Sequence, residues 1–206
     1  EMLELVRLAE RKDAFTHELS GGMQQRAALA RALSAGTSLL LLDEPLGALD
    51  ARIRTQLRYE LRRLVKDLGL TAIHVTHDQE EAMTISDKIV VMRRGAIEQI
   101  GTPEELYLAP KTPFIANFIG ESNFFEANIV KVSRKTSIAE LRGGLLIEVN
   151  SIEWKEGERV IIAIRPENIK LEPYAPADLN FLPGMVERIL FIGGILRYEI
   201  RLANDD

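Results

Sequence analysis

The chain has 206 residues, a formal net charge of −5 and no cysteine. The absence of cysteine excludes disulfides, cysteine nucleophiles and thiolate metal sites within these residues. The mild acidity, without a long block of basic residues, argues against a protein that binds nucleic acid. No apolar run approaches the roughly 20 residues that span a bilayer, and the charged start EMLELVRLAERKD does not resemble a signal peptide.

Residues 1–120 alternate between helical and strand-like patterns. The predicted helices cover residues 1–11, 20–33, a long segment capped by Asp50 and ended by Gly69, a segment beginning at Asp78, and 102–108. The predicted strands cover residues 39–42 and 71–76, both apolar enough to be buried on both faces, and a hairpin of 88–92 with 97–100. This alternation predicts an α/β domain with a mostly parallel sheet.

The pattern changes after about Gly120, where short strand-like runs are separated by turn residues. The predicted strands cover residues 124–132, 137–141, 145–149, 160–165, 184–191 and 196–202. We therefore predict two domains, 1–120 and 121–206, of which the second is an all-β domain of barrel or sandwich type.

The segment LSGGMQQR places two adjacent glycines in the first turn of a predicted helix, after the N-cap Ser20. Glycine is unfavourable inside a helix by about 1 kcal/mol relative to alanine, so Gly21 and Gly22 call for an explanation. A helix start carries unpaired N–H groups and the positive end of the helix dipole, which suit an anion. The sequence indicates a phosphate site here, and close contact between two helices is the alternative.

The segment LLLLDEPLGALD places Asp43 at the end of an apolar strand and Glu44 one residue later. Ligands of open α/β sheets bind at this carboxyl edge. A carboxylate there can hold Mg²⁺ through water, and a second carboxylate can act as a general base on a water molecule. Two solvated acidic residues at a strand end are the alternative.

The segment HVTHD places His77 directly after the second predicted strand and before the helix cap Asp78. A neutral imidazole at this edge could hydrogen-bond a phosphate and the attacking water. His74 lies three residues before His77, a spacing that puts the two side chains on opposite faces of a strand and argues against a shared metal site. We expect His17 at the surface. A basic run is expected to form a solvated helix face: Arg52, Arg54, Arg58, Arg62 and Arg63.

Together these segments resemble the ATP-binding subunits of ABC transporters. Residues 20–24, Ser20-Gly21-Gly22-Met23-Gln24, are similar to the signature motif of that family, with Met23 where glutamine usually stands. Residues 39–43 resemble the Walker B strand, and residues 46–50, which include Leu49 and Asp50, resemble the D-loop. The segments ANFIGESNFFEA and IAIRPENIKL are similar to the C-terminal OB-like domain of importer subunits for polyamines, sugars, iron or sulfate, with the polyamine type most similar.

The resemblance implies roles for individual residues. Glu44 matches the catalytic glutamate, His77 the switch histidine, and Asp43 the residue that holds Mg²⁺ through water. Ser20, Gly21, Gly22 and Gln24 would contact the γ-phosphate of an ATP held by a second subunit. Leu49 and Asp50 would lie at the interface of the two subunits.

The chain also departs from the family, because no G-x-x-x-x-G-K-[ST] phosphate loop occurs in the 206 residues. With Glu1 in place of an initiator methionine, this predicts a piece of a longer protein that lacks the N-terminal half of the nucleotide-binding domain. By itself the chain is not expected to hydrolyse ATP. The OB-like domain is also expected to be incomplete.

The resemblance implies an ATPase that powers solute import, with ATP and Mg²⁺, as a homodimer bound to transmembrane permease subunits at the cytoplasmic face of the membrane. Nucleic acid is not an expected partner. Two alternatives remain: a soluble ABC-type ATPase, and a non-catalytic regulatory module. The C-terminal domain is expected to be regulatory.

Overall fold

The computed structural model describes residues 2–47, 49–150, 154–173 and 179–203. The chain divides into two compact units, Glu1–Ala109 and Pro110–Asp206. None of the described helices combines the length and the apolar character that a membrane span requires.

The first unit alternates helices and strands, as predicted. Its helices are α1 (Met2–Leu5), α2 (Gly21–Ser34), α3 (Ala51–Asp67), α4 (Gln79–Ile85) and α5 (Pro103–Leu108). Its strands are β1 (Leu39–Asp43), β2 (Thr71–Val75), β3 (Ile89–Arg93) and β4 (Ala96–Gly101). β1 and β2 pair in parallel, and β3 and β4 form an antiparallel hairpin.

Side-chain caps explain where four of these helices begin. Ser20, Asp50, Asp78 and Thr102 each accept a hydrogen bond from the backbone N–H three residues later. Such caps satisfy one of the unpaired donors of a first helical turn. Because these residues and their spacing are visible in the sequence, the helix starts were predictable from it.

The core of the first unit lies between α2, β1 and α3. Leu29 and Leu33 of α2 pack with Leu40 and Leu42 of β1 and with Leu61 of α3. Leu57 and Leu61 of α3 are each 2% exposed, as expected for the inward face of an amphipathic helix.

Burial of the two parallel strands differs from the prediction. Leu39 and Leu41 are 48% and 70% exposed, and Ile73 and Val75 are 56% and 57% exposed. Successive side chains of a strand point to opposite faces, and only the face with Leu40 and Leu42 meets the helices. The prediction that both strands are buried on both faces is therefore wrong for the described residues.

The first helix is also shorter than predicted. α1 ends at Leu5, and Arg7 takes a left-handed conformation with φ 55° that a helix cannot contain. A short 3₁₀ turn, Ala9–Arg11, follows.

The second unit is largely β, as predicted, with one preceding helix that was not predicted. Its elements are α6 (Pro113–Ile119), β5 (Asn123–Val132), β6 (Ser137–Leu141), β7 (Leu146–Val149), β8 (Arg159–Ile164), β9 (Gly184–Ile192) and β10 (Ile195–Leu202). Four strands form an antiparallel sheet in the order β7-β6-β5-β8, and β9 and β10 form a separate hairpin. The described strands thus form two open sheets and no closed barrel.

A buried arginine ties the end of β8 to the end of α6. Nη1 of Arg165 lies 2.7 Å from the carbonyl oxygens of Ala116 and Gly120, 3.1 Å from that of Glu121 and 2.8 Å from Oγ of Ser122. Burial lowers the pKa of Arg165 from its ordinary value, but a guanidinium stays charged. Its charge faces carbonyls at the negative end of the helix dipole.

We predict that Arg165→Met lowers the free energy of unfolding of the second unit by about 2–4 kcal/mol, because several buried carbonyls lose their donor. Denaturant titration followed by the fluorescence of Trp154, the single tryptophan of the chain, measures the loss. Arg159→Met is the matched control: Arg159 is 83% exposed and pairs with Glu126 at 3.7 Å, so its loss should stay below about 1 kcal/mol. Equal losses in the two variants would contradict the role assigned to Arg165.

Candidate functional site

The register of the parallel strands brings two of the sequence motifs together. Asp43 at the end of β1 lies beside Val75 at the end of β2. The residues that follow, Glu44 and Thr76-His77, therefore leave the sheet at the same edge. This is the carboxyl edge, where open α/β sheets bind their ligands.

Glu44 and His77 are in direct contact at this edge. Oε1 of Glu44 lies 2.9 Å from Nδ1 of His77, although 33 residues separate them in the sequence. Both side chains are exposed, at 52% and 74%. The hydrogen bond to Glu44, reinforced by its negative charge, raises the pKa of His77. The structure thus pairs a carboxylate with an imidazole, both open to a ligand.

The backbone of Glu44 is held in an uncommon conformation. Its φ of 45° lies in the left-handed region, which is unfavourable for a residue with a Cβ atom. Its N–H donates to the carbonyl of Val75 at 2.9 Å, and its carbonyl accepts from Nε2 of Gln25 at 2.7 Å. These contacts from β2 and α2 fix the direction of the Glu44 side chain. Such strain, where it occurs, clusters at functional sites.

Asp43 ends β1 as an exposed carboxylate next to this pair. Mg²⁺ is usually held by one or two carboxylates while it keeps several of its waters, and an exposed aspartate at a strand end fits that requirement. Among the described residues no group of three or more acidic or histidine side chains forms a metal cluster.

His74 does not join His77 in a metal site. Its Nε2 lies 2.6 Å from Oε1 of Glu81, and the two side chains are 8% and 2% exposed, although the pair does not meet hydrogen-bond geometry. The argument from strand geometry against a shared site is thus consistent with the structure. His17 is exposed, as expected, and stacks on Phe15.

The glycines of the signature-like segment lie at the start of α2, where Ser20 caps the helix through the N–H of Met23 at 3.4 Å. A Cβ atom added to Gly21 would meet no other atom within 4 Å. Tight helix packing within the described residues therefore does not explain Gly21. Gly22 is partly exposed beside it. The amide nitrogen of Gln24 is engaged by the carbonyls of Thr16 and Leu19, so this side chain holds the segment before the helix.

The loop between β1 and α3 is anchored by its own residues. Leu49 is 6% exposed and packs with Leu46 and Leu57, while Asp50 caps α3 by accepting from the N–H of Ile53 at 3.0 Å. Ala48, within the predicted D-loop, lies outside the described residues.

The sequence analysis did not predict the ionic contacts that arginines of α3 make with Asp78. The expectation of a solvated helix face is wrong for two arginines of the basic run: Arg58 is 3% exposed, and Arg54 and Arg58 both contact Asp78. Arg62 pairs with Asp87 at the surface, where the two side chains are 37% and 63% exposed. The spacing of Arg54 and Arg58, four residues apart on one helix face, was the available signal. Gln25 was also missed, and nothing in its local sequence indicates its contact with Glu44.

Two depressions differ in size and in chemistry. The larger, about 420 Å³, lies on the sheet of the second unit between Phe124, Asn128 and Arg142. The smaller, about 30 Å³, is large enough for a water molecule. It is lined by Glu44, Gly47, Arg54, Thr76, His77, Asp78 and Glu81. We place the candidate site at the smaller depression, because it contains the carboxylate–imidazole pair.

Two family profiles match separate parts of the chain. The profile of the ABC transporter family matches residues 1–47, and that of the TOBE domain matches residues 162–206. The chain is thus similar to the ABC transporter family at the start of its first unit and to the TOBE domain within its second, largely β unit.

Alignments with curated relatives extend along almost the whole chain. Proteins named spermidine/putrescine import ATP-binding protein PotA are 41% identical in Trichodesmium erythraeum, 45% in Trichormus variabilis and 42% in Thermobifida fusca. The alignments cover 99%, 99% and 100% of this chain and 56%, 55% and 54% of the relatives. The chain thus spans a little over half the length of the curated relatives it matches.

We predict that Glu44→Gln lowers the pKa of His77 toward its ordinary value, because the amide cannot accept a proton or supply a negative charge. Histidine-selective NMR titration of the intact protein measures this shift. The raised pKa means that the contact stabilises the folded state below the ordinary histidine pKa, and that this contribution is lost as the pH rises through the raised value. An unchanged titration in the variant would show that the two side chains are not paired in solution.

Proposed function

We propose that the full-length subunit hydrolyses ATP to power the import of a solute through an ABC transporter. The observation that carries the proposal is the 2.9 Å contact between Glu44 and His77 at the carboxyl edge of two parallel strands, in a chain that is similar to the ABC transporter family.

In this proposal Glu44 is the general base. Its carboxylate accepts a proton from a water molecule as the oxygen of that water attacks the γ-phosphorus of ATP, and the bond from phosphorus to the bridging oxygen of ADP breaks. His77, held by Glu44 through Nδ1, presents the rest of its imidazole to the γ-phosphate and the water. Because Glu44 is fixed through its backbone, little reorientation is needed in the transition state.

Two further parts of the site would handle the phosphate charge. Asp43 would hold Mg²⁺ through water, and the metal would neutralise charge on the β- and γ-phosphates. Ser20, Gly21, Gly22 and Gln24 would lie at the γ-phosphate of an ATP bound by a second copy of the subunit, where the open start of α2 offers backbone N–H groups to the anion. The D-loop residues Leu49 and Asp50 would lie at the interface between the copies.

The proposed partners follow from the family. They are a second ATPase subunit, forming a homodimer, and transmembrane permease subunits that hold the dimer at the cytoplasmic face of the membrane. The all-β unit, residues 121–206 in the sequence-based division, would regulate the ATPase. It would take no part in the chemistry, because its described residues present no carboxylate–imidazole pair like that of the first unit.

We predict that Glu44→Gln in the full-length subunit retains ATP binding and loses turnover by about 10²–10⁴-fold, since an amide cannot act as a general base. Nucleotide affinity and steady-state phosphate release are measured on the same preparations. Asp67→Asn, which alters an exposed acidic residue on α3, is the control and should keep wild-type turnover. A Glu44→Gln variant with more than about a tenth of wild-type kcat would assign the base to another residue.

The transported solute is proposed to be a polyamine, on the strength of the names of the relatives. We predict uptake of labelled spermidine or putrescine by vesicles that contain the assembled transporter and ATP. Vesicles with the Glu44→Gln subunit should take up neither and serve as the control. ATP-dependent uptake of a sugar or of sulfate, without polyamine uptake, would contradict this substrate class while leaving the ATPase proposal intact.

A further inference from the structure

Arg54, in the first turns of α3, contacts two separate loops at once. Its Nη2 lies 2.8 Å from the carbonyl oxygen of Leu49 and 3.4 Å from that of Gly47. Its Nη1 lies 3.4 Å from Oδ2 of Asp78. One side chain therefore joins the loop that follows Glu44 to the turn that carries His77.

Asp78 controls the geometry of that turn. Its Oδ1 accepts from the N–H of Glu81 at 3.0 Å and so caps α4, and its own N–H donates to Oγ1 of Thr76 at 3.0 Å. Burial disfavours the ionised carboxyl, but the N–H of Glu81 and the guanidiniums of Arg58 and Arg54 outweigh it and hold the pKa of Asp78 below its ordinary value. Asp78 is thus an ionised anchor immediately next to His77.

Glu44, the carboxylate of the pair, is also supported by a residue that Arg54 contacts. The N–H of Gly47 donates to the carbonyl of Glu44 at 3.2 Å. Gly47, whose carbonyl accepts a hydrogen bond from Arg54, is therefore itself hydrogen-bonded to Glu44. Arg54 thereby bridges the supports of both Glu44 and His77. Arg54, Gly47 and Asp78 also line the 30 Å³ depression beside the pair.

Arg58 carries the same guanidinium group as Arg54 but contacts different residues. It contacts Asp78 at 2.6 Å and Glu80 at 2.9 Å, both at the start of α4. Among the described contacts of Arg58 none reaches the loop after Glu44. Arg58 therefore mainly anchors the start of α4, whereas Arg54 joins the two loops.

We propose that Arg54 is a positioning residue of the ATPase site: it couples the backbone carbonyls of Gly47 and Leu49 to the 76–78 turn and so sets the approach of His77 to Glu44. The inference rests on the proposed function. A movement of Gly47 and Leu49 would then be transmitted by the guanidinium of Arg54 to Asp78 and so change the distance between His77 and Glu44.

The test is a mutant cycle on the full-length subunit with Arg54→Gln, His77→Ala and the double variant. Arg54→Gln should lower kcat by about 10-fold or more through misplacement of His77, with ATP affinity within about twofold of wild type. Because the proposed effect of Arg54 is to set how His77 meets Glu44, it disappears once the imidazole is removed, and the double variant should have the kcat of His77→Ala alone. Arg63→Gln, an exposed arginine of the same helix that lies 3.9 Å from Asp67, should be neutral.

Two further measurements keep the inference separate from simple loss of folding. Arg54→Lys keeps a charge near Asp78 but lacks the planar fork that reaches two loops, so its kcat should fall while its Tm stays near that of wild type. The pKa of His77, followed by NMR, should drop toward its ordinary value in Arg54→Lys, as the imidazole moves from Glu44.

The outcomes distinguish the inference from the function on which it rests. Wild-type kcat in Arg54→Gln, or losses that multiply in the double variant, would overturn the positioning role while the proposed ATPase stands. Wild-type turnover in His77→Ala would overturn the proposed role of His77 and the inference together. An unshifted His77 titration in Arg54→Lys would also overturn the inference.

Discussion

The parallel register of β1 and β2 is the constraint on which the candidate site depends. Backbone hydrogen bonds place Asp43 beside Val75, and this alignment brings Glu44 within 2.9 Å of His77. Because side chains alternate along a strand, a shift of one residue would turn His74 to the opposite face of β2 and would move the turn that carries His77 relative to Glu44. The apolar side chains Leu40 and Leu42, buried against α2 and α3, oppose such a shift, so the packing of the core also sets the geometry of the site.

Around the pair, the supporting contacts come from elements distant in sequence. Gln25 of α2 binds the carbonyl of Glu44, and Arg54 and Arg58 of α3 bind Asp78 beside His77. Two exposed side chains are thereby held by backbone and buried groups, which limits their motion without removing them from solvent. The proposed ATPase site, which would admit a phosphate and a water while its reactive groups stay aligned, needs this combination.

The second unit uses ionic groups for a different purpose. Arg165 is buried, and its guanidinium donates hydrogen bonds to the carbonyls at the end of α6 and to Ser122. Apolar side chains such as Ile129 and Ala139 fill the core of the sheet. An exposed carboxylate–imidazole pair is not found among the described residues of this unit. The ionic contacts of Arg165 stabilise the structure of this unit.

The sequence by itself determined the order of the elements other than α6, the starts of four helices and the motif residues Ser20, Asp43, Glu44 and His77. Caps, apolar periodicity and motif spacing are local properties of the chain, and they can be seen in its sequence. Only the tertiary structure decided that Glu44 meets His77, that Gln25 and Arg54 support them, and that one face of β1 and β2 is exposed. The arginines of α3 show the reason. Their spacing reveals a common helix face, but whether that face meets solvent or Asp78 depends on the packing of α4, more than twenty residues away, which local pattern does not encode.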